Sequence, residues 1–429
     1  MLSRETGMDV SDLRQRAEAG EAEAQYQMGN ICQQGLHGVG QDLDEAIGWY
    51  ERAAGQNHVD SQVNLGIIHV SVLPQHGRER DAISAWAWFE KAARLGDSQA
   101  MFYLGRILVN GDGVERNERK GASWLGVSAA AGSAEAMNLL GSLCMEGIGV
   151  LRDDVQGAVW YKNAAKLGSA AAQYNLALCF LQGKGVPRDP ASGVRFVRES
   201  AQAGYGVAQH NLGVILSNGL HGCQADPAEA VRWFEAAAAS GIAEAQFEAG
   251  QSYRMGRGCQ PDPQRSMQYY RAAADRDHAA AQFSLGLMLA NGLGLDRPYP
   301  EVAEQWYQRA AMNHHGGAAH NLGIMFASGR GVQQDHRMAI ELFEYAIGLG
   351  EDSALFSLGL ALFQQPEPDL VRAATWAMLS IQHEPEGRGG LLLDKVSPLL
   401  DPRQMEEART EAISWKRENK TLAFMVQRP

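Results

Sequence analysis

Apolar residues along this chain recur at intervals of three and four, and the blocks that carry them recur in turn. AQYNLA (Ala172 to Ala177), AQHNLG (Ala208 to Gly213) and AQFSLG (Ala281 to Gly286) are three copies of one such block, each with the spacing of a helix face. The small residue that ends the block falls at Gly29, Gly66, Gly105, Gly141, Ala177, Gly213, Gly250, Gly286, Gly323 and Gly359, with successive separations of 37, 39, 36, 36, 36, 37, 36, 37 and 36. A column of large side chains keeps step with it: Trp49, Trp88, Trp124, Trp160, Phe196, Trp233, Tyr269, Trp306, Leu342 and Trp376. A period of this length held ten times predicts a repeat architecture.

Each unit reads as two helices. The glycine column sits inside the first, where Gly costs about 1 kcal/mol against Ala. Its recurrence predicts a neighbouring helix too close for a β-carbon, and Ala177 shows that one methyl is sometimes tolerated. A glycine turn follows, as in Gly111-Asp112-Gly113-Val114, Gly147-Ile148-Gly149-Val150 and Gly183-Lys184-Gly185-Val186, supplying the positive φ that ends a helix. The second helix opens on Asp189-Pro190, Asp226-Pro227 or Asp262-Pro263, where aspartate caps free N–H groups and proline fits the first turn. It then carries the large column and a pair of alanines, such as Ala164-Ala165. A hairpin with two greasy faces buries both only by stacking on its neighbours, and the array needs caps. Ser11 to Ala19 reads as a lone second helix at one end; Asp401-Pro402 opens a charged helix at the other.

The unit, with its A-x-AQY-x-LG helix, G-x-G-V turn and A-x-x-WY-x-x-AA helix, resembles the Sel-one-like repeat family, a relative of the tetratricopeptide repeat. The likeness runs from Gly20 to Gln382. It implies an all-α fold, a right-handed α-solenoid of about ten helix–turn–helix repeats, with residues 1–19 a capping helix, 20–382 the repeats and 383–429 C-terminal capping helices and tail. It also implies a scaffold or adaptor for proteins. Two turns depart from the pattern, Leu73-Pro74-Gln75-His76 and Gln365-Pro366-Glu367-Pro368, and are expected to bend the stack or protrude. The cysteine-rich branch of the family, with its weak penicillin-binding activity, is not matched, because no repeat holds two closely spaced cysteines.

Charge and motifs narrow the function. The net charge is -12, against the positive footprint that nucleic acid or an anionic membrane requires. An RNA-binding helical-repeat protein is therefore disfavoured. No stretch of 18 apolar residues predicts a membrane span, and the first twenty residues lack the apolar core of a secretory signal. The five cysteines, Cys32, Cys144, Cys179, Cys223 and Cys259, are odd in number and contain no C-x-x-C, which fits the reducing cytoplasm. Cys223 and Cys259 share a turn column and are expected to stay unbridged. No S-x-x-K, G-x-S-x-G, H-E-x-x-H or Walker-type loop occurs. The expectation is no enzyme, no cofactor and no metal; a penicillin-hydrolase activity is the disfavoured alternative. His314, His315 and His320 cluster, but without further ligands they read as packing residues.

The remaining candidate is the wall made by the first helices, which solenoids use for binding. A stripe three before and one after the glycine column pairs Tyr26 with Asn30, Phe102 with Arg106, Tyr174 with Leu178, His210 with Val214, Phe247 with Gln251, Phe283 with Leu287, His320 with Ile324 and Phe356 with Leu360. Two readings stay open. Either the aromatic is repeat consensus packed on its neighbours, or it lines a trough whose polar departures at Arg106, His210, Gln251 and His320 meet a protein or peptide. The ladder Asn64, Asn175, Asn211 and Asn321 has the same two readings: a backbone-binding row, or hydrogen bonding between helices.

Overall fold

The structure, a computed structural model, describes residues 10–72 and 81–426, with side chains to Trp415. It divides into two compact units, Met1–Ala208 and Gln209–Pro429. Among the described residues there are 23 α-helices and no strand.

In the first unit α1 (Val10–Glu18) precedes five helix pairs: α2 (Ala22–Gln34) with α3 (Leu43–Gly55), α4 (Val59–Ile67) with α5 (Ala82–Arg94), and α6 (Ser98–Asn110) with α7 (Glu118–Ala130). The fourth and fifth are α8 (Ala134–Glu146) with α9 (Asp154–Lys166) and α10 (Ala170–Gln182) with α11 (Pro190–Gln202). The division falls inside α12 (Gly206–Asn218), which pairs with α13 (Pro227–Ala239). The second unit continues with α14 (Ala243–Met255) and α15 (Pro263–Ala274), α16 (Ala279–Asn291) and α17 (Pro300–Met312), then α18 (Gly316–Ser328) and α19 (His336–Gly348). The last pair is α20 (Ala354–Phe363) with α21 (Leu370–His383), and α22 (Gly389–Val396) and α23 (Pro402–Val426) close it.

Helix ends follow from their residues. Asp189, Asp226 and Asp262 each accept a hydrogen bond from the backbone N–H three residues on, at 3.1, 2.9 and 2.9 Å. Gly111, Gly147 and Gly183 end their helices at φ of +75°, +75° and +73°. The second turn glycine has a separate reason: a β-carbon on Gly185 would lie 1.9 Å from the Asp154 carbonyl oxygen of the preceding pair.

The glycine column is tight for a reason the sequence only half specified. What crowds most of these glycines is a ring, and it belongs to the second helix of the same pair. A β-carbon on Gly29 would sit 2.6 Å from Tyr50, on Gly141 2.5 Å from Tyr161, and on Gly213 2.6 Å from Phe234. These rings stand one residue after the large column read from the sequence. That next column, Tyr50, Phe89, Leu125, Tyr161, Val197, Phe234, Tyr270, Tyr307, Phe343 and Ala377, is buried throughout, whereas most of the Trp column is half-buried. Ala177 is the one non-glycine, and Val197, which holds the ring position of its pair, is one of the two exceptions to a large partner. The other is Ala377, and there Leu392 of α22 fills the space beside Gly359.

A glutamine column joins successive pairs. Gln62, Gln246 and Gln282 donate to Ala54, Ala238 and Ala274 carbonyls of the preceding second helix at 3.1–3.2 Å. Gln25 donates to the Ala17 carbonyl of α1 in the same way at 3.0 Å. At the other end Leu392, Val396, Ala408 and Ala412 are buried against α20 and α21. In the second pair α4 runs into a π-helical turn, Ile68–Val72, and the irregular Leu73–His76 lies outside the described residues. The Gln365–Pro368 turn lines a recess of about 440 Å³ with Arg337, Glu344 and Arg372.

Candidate interaction face

On each first helix the two stripe residues lie four apart and so share a face. The aromatic half of the stripe is half-buried and held on two sides. Tyr26 lies 6.1 Å from Tyr50 within its pair and 4.8 Å from His58 at the start of the next. Phe247 repeats this with Tyr270 at 5.7 Å and His278 at 4.8 Å, and Phe283 with Tyr307 at 6.0 Å and His315 at 4.5 Å. Tyr174 meets Tyr205 at 5.8 Å, and His210 meets Phe234 at 6.0 Å. Phe356 packs against the core of the last pairs. Phe102 lies 5.7 Å from the Arg106 guanidinium, which sits 4.8 Å over Tyr103.

The histidines at these contacts carry a second task that sequence reading missed. His58, His278 and His315 are helix N-caps whose Nδ1 accepts the backbone N–H of Ser61, Ala281 and Ala318 at 3.3, 3.1 and 3.2 Å. Their signal was available: they stand where Ser133 and Ser169 cap α8 and α10. His314 bonds Tyr345 Oη at 2.9 Å. His320 bridges the last two pairs, with Ser357 Oγ 2.8 Å from Nε2 and Ser353 Oγ 3.0 Å from Nδ1. Because Ser353 spends its proton on Glu351 at 2.5 Å, it accepts from Nδ1–H and leaves Nε2 to accept from Ser357.

The asparagine ladder is engaged between helices. Asn175 donates to Asn138 at 2.9 Å across adjacent pairs. Asn64 and Asn321 sit beside Tyr50 and Tyr307, the rings that press on the glycine column. The other half of the stripe stands one residue after the glycines. Arg106, Leu178, Gln251 and Leu287 are half-buried and Ile324 is exposed at 43%. No group of three His, Cys, Asp or Glu side chains able to hold a metal occurs among the described residues. None of the five cysteines is bridged.

Burial lowers the pKa of His210, His278, His315 and His320 below the ordinary 6.5, with Glu244 or Glu351 opposing it. All four belong to the second unit. A depressed folded pKa means that below 6.5 the unfolded chain binds more protons, so stability is full above that value and is lost as pH falls through it. The second unit is expected to melt lower at about pH 5 than at about pH 7.5. His278→Ser with His315→Ser, which installs the pH-independent cap of α8 and α10, is expected to flatten that difference in thermal melts. An unchanged pH profile in the double variant would remove the caps from the account.

Helix pairs packed in sequence, each against the last, define a helical-repeat solenoid, and nine consecutive segments match the Sel1 repeat: residues 22–58, 59–97, 98–133, 134–169, 170–205, 206–242, 243–278, 279–315 and 317–351. The chain belongs to the Sel1 repeat family. The tenth pair, α20 with α21, lies beyond the matched segments. Among solved structures the chain is similar to c5321, a protective antigen of uropathogenic Escherichia coli with the same repeat fold, at 25% identity and a TM-score of 0.52, covering 96% of this chain and 97% of that one. It is also similar to a Sel1 repeat protein from Oxalobacter formigenes, at 31% identity and a TM-score of 0.50, covering 58% of this chain and 99% of that one. Chitin synthase regulatory factor 3 of Schizosaccharomyces pombe is 31% identical over 105 residues, 24% of this chain and 11% of that protein. The chain therefore spans about a tenth of that relative. No helix among the described residues is long and apolar enough to cross a membrane.

Proposed function

We propose that this protein is a non-catalytic adaptor that holds a peptide segment or partner domain on the face formed by its first helices. The observation that carries the reading is the division of labour in the stripe. The aromatics Tyr26, Phe102, Tyr174, Phe247, Phe283 and Phe356, with His210 and His320, are half-buried, and four residues on from three of them stand Arg106 and Gln251, also half-buried, and the exposed Ile324. Aromatic and arginine side chains are the make-up of interface centres. The acidic balance of the chain argues against nucleic acid. The cytoplasm is the proposed compartment, supported by the unbridged cysteines. Labelling of denatured, unreduced protein is expected to count five thiols; three or one would move the protein to an oxidising compartment.

The functional test is quantitative affinity capture with the full chain, compared with Arg106→Ala and Phe247→Ala. Truncating Arg106 removes a fork of donors at little cost to packing, so partner recovery is expected to fall several-fold with the helical signal intact. Phe247→Ala is expected to lower both recovery and melting temperature, since its ring rests on Tyr270 and His278. Melting that falls in Phe247→Ala while capture by both variants stays intact would sink the assignment of this face.

A further inference from the structure

Between α16 and α18, on the first-helix face of the second unit, lies a cleft of about 180 Å³ lined in part by Leu287, Ile324, Met325, Asn291, Tyr307 and Arg330. That is smaller than the few hundred Å³ of a typical small-molecule site and suits a single side chain. Leu287, Ala290, Ile324 and Met325 supply its apolar lining, beside the buried Tyr307. The rim is pre-set: Asn291 donates to Leu287 O at 2.8 Å and Ser328 to Ile324 O at 2.7 Å. Arg330 is exposed and anchored by one N–H to Ala290 O at 2.7 Å. No carboxylate pairs with it among the described residues, unlike Arg265 with Glu235 or Arg309 with Asp277.

We propose that this cleft reads a short peptide element: an aliphatic side chain seated between Leu287 and Ile324, within two residues of an aspartate or glutamate that pairs with Arg330. The inference rests on the adaptor reading and gives it a ligand chemistry. The guanidinium keeps four N–H donors beyond the one held by Ala290 O, enough for the two-pronged grip that carboxylates accept. The anchoring bond fixes the head group beside the aliphatic slot, so the acid and the aliphatic side chain are read together. The long-range field of a chain of net charge -12 opposes an acidic ligand, and salt screens that field more than it screens the contact. Selectivity for the acid therefore survives moderate salt.

The test pans a phage-displayed dodecapeptide library on the full chain. Enriched peptides are expected to share an aliphatic residue within two positions of Asp or Glu. For one such synthetic peptide, Arg330→Gln and acid→amide in the peptide are each expected to weaken binding about ten-fold. The two changes together are expected to cost little more than one. Ile324→Ser is expected to weaken acid and amide peptides alike. Circular dichroism checks that both exposed substitutions leave the fold intact. Peptides whose binding falls with Arg106→Ala or Gln251→Ala but ignores Ile324→Ser and Arg330→Gln would overturn this inference and leave the adaptor reading standing. A library that enriches nothing above the background of the bare support would overturn both.

Discussion

Replacing Gly213 with leucine is expected to break the contact between α12 and α13, lowering stability by roughly 1–3 kcal/mol. A β-carbon there already comes within 2.6 Å of the Phe234 ring, and a branched side chain has no route past it. The more decisive experiment uses the exception in the column. Where Ala177 replaces glycine, the ring's position in the column is held by Val197. Gly213→Ala and Phe234→Val are each expected to destabilise, the first by overpacking and the second by leaving a void. Combined, they recreate the Ala177–Val197 pair and are expected to cost clearly less than their sum, with a coupling of about 1 kcal/mol or more. Urea unfolding, with hydrogen exchange over Gly206–Ala239 as the local readout, measures it. Strict additivity would mean that the ring is not what excludes the β-carbon.

Truncation after His383 is the second large perturbation. It removes α22 and α23, and with them Leu392, Val396, Ala408 and Ala412, all buried against α20 and α21. Each large aliphatic side chain so exposed forfeits about 1.5–3 kcal/mol, and its former partners, Leu355, Leu358 and Leu379, would face water as a contiguous patch. Self-association is the expected outcome, as for other repeat arrays without caps. Light scattering during size exclusion should show species larger than the full chain, and hydrogen exchange should lose protection first in α20 and α21. A truncated chain that keeps both its size and its protection would mean that these helices do not serve as a cap.

The period, the helix pairs, the Asp caps and the turn glycines were legible in the sequence because each is fixed by local chemistry at a recurring position. Helix rotation was harder to read. Trp160 and Tyr161 are adjacent and both large, and nothing local says which one turns toward Gly141. Packing decides for Tyr161, since only that ring finds a surface without a β-carbon. The histidine caps were missed because His at such a position is read as an aromatic first and as an acceptor second. The candidate face was legible as a stripe, but its two halves were not separable. One periodicity places both Phe283 and Leu287 on the same side of α16, and only their neighbours, His315 and Tyr307 on one hand and the cleft on the other, distinguish them.

Tyr50 rests its ring on Gly29, has its hydroxyl 2.8 Å from both Asn30 Oδ1 and Gln33 Oε1, and sits beside Asn64 of the next pair. Tyr307 spans its neighbours in the same manner, from Gly286 to Asn321. The natural cassette of this array is thus out of phase with its repeat: it begins at a glycine and ends at the asparagine of the following unit. Gene duplications or engineered transplants cut at the turns would separate each of these tyrosines from the asparagine beside it. Cuts made after the asparagine would carry the whole junction with them, and arrays recombined in that phase should grow or shrink with each of these contacts intact.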